Sequence, residues 1–88
     1  MPYALFQATV TNFAKWKAEF LKTPHIRKEL GGLEHQYVLQ DIEKASQVTV
    51  LFTVEEVFKA KKFLASTRLR DAWLNAGVIG KPKITFLS

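Results

Sequence analysis

Apolar residues recur at every second position in some stretches of this chain and at every third or fourth in others, and this alternation of period lays out its elements. From Tyr3 to Val10, one side of an extended strand would carry Ala4, Phe6, Ala8 and Val10, and the other Tyr3, Leu5, Gln7 and Thr9. Phe13, Trp16, Lys17, Phe20 and Leu21 then follow at i, i+3, i+4, i+7 and i+8, an amphipathic helix whose stripe includes the aliphatic stem of Lys17, with Thr11 and Asn12 available as caps. Pro24 lacks the N–H that a helix interior needs, so the spacing predicts a kink, a cap at Thr23 and a short helix through Leu30, ended by Gly31 and Gly32.

Leu33 to Gln40 alternates again, placing Leu33, His35, Tyr37 and Leu39 on one side and Glu34, Gln36, Val38 and Gln40 on the other. Asp41 to Ser46 is a polar connection, and Gln47 to Val54 returns as the strongest strand, with Val48, Val50, Phe52 and Val54 opposite Thr49, Leu51 and Thr53. Glu55 and Glu56 put negative charge at the start of a second helix carrying Val57, Ala60, Phe63 and Leu64. Ser66 caps its restart, which continues through Leu69, Ala72, Trp73 and Ala76 to a stop at Gly77. Gly80 and Pro82 impose an extended connection into a last strand at Ile84, Thr85 and Phe86.

The order strand, helix, strand, strand, helix, strand predicts one α+β domain over residues 1–88, a ferredoxin-like βαββαβ unit. Its four-stranded antiparallel sheet would carry two kinked helices on one face, over Phe6, Val10, Leu39, Val50, Phe52 and Ile84 or Phe86. The other face, with Leu5, Gln7, Gln36, Val38, Thr49, Leu51, Thr53 and Leu87, is too apolar for comfortable exposure and too polar for a monomer core. It predicts a homodimer formed sheet to sheet.

A hydrophobic fraction of 48% with seven Phe, two Trp and two Tyr is generous for 88 residues and leaves apolar surface over for a subunit or ligand. There is no cysteine, which excludes disulfides, thiol catalysis and thiolate metal sites and suits the cytoplasm. No apolar run reaches membrane-spanning length. The net charge of +5 comes from lysines spread along helix faces, and the strand QVTVLFTV lacks the glycine and exposed aromatics of an RNA-recognition module, so nucleic-acid binding is not expected. His25 and His35 fall on different elements, which argues against a metal site; no glycine loop opens a helix to cradle a nucleotide phosphate, and Ser66 reads as a cap, not a nucleophile.

What remains is a pocket between helices and sheet, walled by Trp16, Phe20, Tyr37 and Trp73, with His35 as the group able to move a proton near neutral pH. Arg68, Arg70 and Asp71 read as surface charge pairs, and Arg70 is also the cation able to reach an anionic substrate. Each aromatic has a plainer role as core.

The stretches VTNFAKW from Val10 to Trp16, KAKKF from Lys59 to Phe63, and SxxLRDAW with AGVIGKP from Ser66 to Pro82 give the chain a resemblance to the dimeric α+β barrel superfamily. That superfamily includes the antibiotic-biosynthesis and haem-degrading monooxygenases, and the chain looks most like a small cyclase-like bacterial subgroup. The resemblance implies a dimer and, in the monooxygenase branch, oxidation that uses the substrate's own electrons without a bound cofactor; Asn12, Trp16, Tyr37, Trp73 and Asn75 are residues of the types such sites use. The resulting expectation is a homodimer that binds, and as a cofactor-free oxygenase, cyclase or isomerase transforms, a small apolar or aromatic molecule. The alternative is a non-catalytic dimeric binding or accessory protein. On the first reading, His35→Ala abolishes turnover or ligand binding and leaves the dimer intact in native mass spectra; loss of folding would return His35 to the core.

Overall fold

The computed structural model describes residues 2–88 apart from the side chain of His35. Strands β1 (Tyr3–Val10), β2 (Leu33–Gln40), β3 (Gln47–Val54) and β4 (Val78–Leu87) form one antiparallel sheet in the order β2-β3-β1-β4. Each crossover is a broken helix: α1 (Phe13–Phe20) with α2 (Pro24–Gly31), and α3 (Val57–Leu64) with α4 (Thr67–Asn75). This is the expected ferredoxin-like α+β arrangement.

Local chemistry accounts for most boundaries. Asn12 accepts a hydrogen bond from the Lys15 amide at 3.0 Å and starts α1; Ser66 accepts from the Leu69 amide at 3.3 Å and starts α4. Thr23 occupies the N-cap of α2 but its side chain makes no capping bond there; Pro24 at the first helical position fixes φ for the turn and removes one of the amides that would otherwise lack a partner. Gly77 leaves α4 with φ of 90° and passes so close to Thr11 that an added Cβ would lie 2.5 Å from Oγ1. The carbonyl of Gly77 accepts from the Thr11 amide at 2.9 Å, tying the exit of α4 to the end of β1.

The helix side of the sheet holds Ala4, Phe6, Ala8, Val10, Val48, Val50, Phe52 and Val54, all buried and joined by Trp16, Ala60 and Phe63 from the helices. Two irregularities alter the expected faces. In β2, Glu34 pairs with Thr53 and Tyr37 with Leu51, so β2 takes one residue more than β3 over this interval, a bulge. The bulge transfers Val38 to the helix side opposite Val50, and turns Tyr37 and Leu39 to the open side opposite Leu51 and Thr49. Leu39 is therefore 56% exposed and not part of the core, and Val38 packs against it, the reverse of the alternation read from the sequence. In β4, register shifts between Gln7 and Thr9, whose partners are Lys83 and Ile79. The stretch containing Gly80 and Pro82 is thus a bulged part of β4, which begins at Val78 and not at Ile84.

The β2–β3 connection is organised by Asp41, whose carboxylate accepts from the amides of Glu43 at 2.8 Å and Lys44 at 2.9 Å. These bonds to the ionised form hold its pKa below the usual 3.8. A depressed carboxyl pKa contributes stability above its unfolded value, lost as pH falls through the lower folded value. Asp41→Ala should accordingly lower the thermal midpoint at neutral pH, with the gap from wild type closing below about pH 4; a gap independent of pH would assign the effect to loop packing.

Candidate functional site

Two short helix pairs cannot roof a four-stranded sheet completely. α2 and α3 approach most closely, where the buried Gly31 faces Phe63: a Cβ on Gly31 would stand 2.6 Å from the Phe63 ring. Between the two crossovers and the sheet lies a cleft of about 740 Å³, within the usual range of small-molecule sites. Its floor is Phe6, Leu33 and Phe52 from three strands; α1 supplies Trp16 and Phe20 one turn apart, and α4 supplies Leu69 and Trp73.

The aromatic rings are mutually braced. Trp16 stacks on Phe20 with centroids 5.1 Å apart at 23°, Phe20 tilts against Phe52 at 6.1 Å, and Trp73 tilts against Phe6 at 5.5 Å. Trp16 is only 2% exposed, whereas Trp73 is half-buried and forms, with Leu64, the wall between this cleft and a shallower one of about 620 Å³.

Arg27 is the charged residue of this site that sequence reasoning missed. It is buried with 8% exposure, lines the cleft and lays its guanidinium carbon 3.7 Å from the centre of the Phe20 ring. Its Nη1 donates to the Phe20 carbonyl at 2.8 Å, capping the last turn of α1 across the kink. Nε and Nη2 are buried with no hydrogen-bond partner among the described residues. Burial pushes its pKa down to about 10, so it remains a cation at neutral pH. The available signal was positional: Arg27 stands one helical turn before Gly31, on the face of α2 that is buried.

Of the expected site residues, Trp16, Phe20 and Trp73 come together in the main cleft. Tyr37 does not; the β2 bulge puts it on the opposite sheet face, 65% exposed. Arg70 lines the shallower cleft with Lys61 and Lys81, and no ion pair joins Arg68, Arg70 and Asp71 among the described residues. The His35 side chain lies outside the described residues. The lining of the main cleft is cationic: among the described residues Lys22, Lys59, Lys62 and Arg68 join Arg27 there against one carboxylate, Glu19, which is paired with Lys22 at 2.8 Å. Among the described residues no group of three His, Asp or Glu could hold a metal, and no helix is long and apolar enough to cross a membrane.

The two tryptophans should respond differently to truncation. Trp16→Ala removes a fully packed ring and should destabilise by about 3–5 kcal/mol in urea unfolding. Trp73→Ala should cost clearly less and instead enlarge the cleft; equal losses would mean that Trp73 is core.

Similarity to solved structures agrees with this geometry. A proposed antibiotic biosynthesis monooxygenase from Bordetella bronchiseptica superposes with a TM-score of 0.80 at 13% identity, over 99% of this chain and 94% of that one. SnoaB, a cofactor-independent oxygenase from Streptomyces nogalater, superposes at 0.72 with 13% identity, over 99% of this chain and 90% of its own. A proposed monooxygenase of the same kind from Caulobacter crescentus gives 0.71 at 15% identity, over 98% and 86%. No sequence-family model matches the chain, and neither does any curated protein. The fold of this chain is that of these solved structures, the proposed antibiotic biosynthesis monooxygenases and the oxygenase SnoaB.

Proposed function

We propose that the protein is a homodimer that binds a small apolar or aromatic molecule in the main cleft and transforms it without a bound cofactor, as an oxygenase, cyclase or isomerase. The observation that carries this reading is the cleft itself, an aromatic-walled space of about 740 Å³ between helices and sheet. The shared fold with a cofactor-independent oxygenase supports the reaction class as a hypothesis, and the lack of cysteine supports a cytoplasmic setting. Proton transfer falls to His35 on β2 in this scheme. A binding protein without turnover is the second reading. It is favoured by the described cleft lining, which offers no histidine or tyrosine and no carboxylate beyond the ion-paired Glu19.

Dimerisation is proposed through the open sheet face. Register aligns Tyr37, Leu51, Leu5 and Thr85 in one row across all four strands, and Leu39, Ile79 and Leu87 add exposed apolar area beside it. Leu51→Arg at the centre of that row should give a folded monomer in native mass spectra where wild type gives a dimer. A monomeric wild type would overturn this interface. For the cleft, the neutral dye N-phenyl-naphthylamine should brighten on binding wild type and fail to do so with Ala72→Trp, an exposed lining position whose new ring would fill the mouth. Unchanged dye binding in that variant would remove the cleft from consideration.

A further inference from the structure

We propose that Arg27 is the recognition residue for the anionic oxygen group of an apolar organic acid, which lies in the main cleft with its apolar body against the aromatic walls. The inference rests on the reading of that cleft as a small-molecule site. It begins from an imbalance within the folded chain: a guanidinium carries donors in a fixed planar fork, and burying one without acceptors is among the costlier arrangements in a protein interior. Arg27 is more than nine-tenths buried, yet only Nη1 has an acceptor, the Phe20 carbonyl. Stapling the kink between α1 and α2 needs that bond alone. Nε and Nη2, the adjacent pair that can engage two oxygens of one carboxylate, are left without partners among the described residues.

Three further features define the ligand. The guanidinium plane is packed over Phe20, which fixes its position beside the stacked Trp16, so an anion held there would have its attached body among rings. Among the described residues the cleft lining holds one carboxylate, Glu19, and that is engaged by Lys22. Lys59, Lys62 and Arg68 at the lining give the entrance the same sign as its interior, which draws in anions. An apolar cation or a neutral hydrocarbon would leave the Arg27 donors unsatisfied; an aromatic or alicyclic carboxylate, or a phenolate or enolate oxygen, satisfies them.

The test uses the two tryptophans of the chain, Trp16 and Trp73, which both line the cleft and whose fluorescence therefore reports its occupancy. Wild type is titrated with naphthoate and with its neutral counterpart naphthamide. Naphthoate should bind about tenfold to a hundredfold more tightly, the range expected for hydrogen bonds to a charged group. Arg27→Gln, which keeps an amide donor near Phe20, should bind both at the affinity of naphthamide. Lys44→Gln removes an equal charge from the exposed β2–β3 connection, outside the cleft lining, and should retain the preference. Equal binding of acid and amide by wild type overturns the role of Arg27 and leaves the cleft as a neutral-ligand site; a preference for the acid that survives in Arg27→Gln overturns it too and assigns the preference to the other cations of the lining. Binding of neither compound overturns both this inference and the small-molecule reading. The wild-type comparison needs no variant to fold.

Discussion

The close approach of α2 to α3 at Gly31 and Phe63 is the constraint from which the helix layer takes its shape. Two broken helices have to cross a four-stranded sheet, and their segments are only eight or nine residues long. A side chain at Gly31 would meet the Phe63 ring, so glycine there lets α2 and α3 pack this closely. The cleft lies beside that contact, with Phe63 in its lining. Its floor is made of sheet residues that would otherwise lie under a helix, and its walls are the inner faces of α1 and α4.

Arg27 belongs to the same junction. Located one turn before Gly31, it reaches back across the kink to the last carbonyl of α1 and so helps set the angle between α1 and α2. A domain of this size has a small core, and a buried cation with two idle donors is an expensive component in it. Methionine or leucine could fill the space. Arginine there is braced by Phe20 and lines the cleft, where the carboxylate among the described residues, Glu19, is ion-paired, so the kink and the cleft share one buried cation.

On the other side of the sheet, the bulge in β2 has an effect out of proportion to its size. By inserting one residue, it moves Tyr37 and Leu39 from the core side to the open side and enriches that face in apolar surface. The helix side loses a tyrosine and the open face gains one, so the same irregularity makes the interior less polar and the open face more aromatic.

Element types and order were set by local sequence, because they rest on interactions within a few residues: the caps at Asn12 and Ser66, proline at the start of α2, glycine at the end of α4, and alternation in β1 and β3. Trp16 and Phe20 share a face of α1 by helical spacing, which the sequence shows, whereas their meeting with Trp73 of α4 across the cleft depends on how the two crossovers pack. Tertiary structure decided the rest. Strand period is two, so a single extra residue in β2 reverses the face of everything after it, and the bulge arises from pairing with β3, not from any signal within Leu33 to Gln40. Arg27 is an ordinary helical cation in the sequence, and only the packing of α1, α2 and α3 removes it from water and leaves two of its nitrogens unpartnered among the described residues, because burial is a property of neighbours distant in the chain.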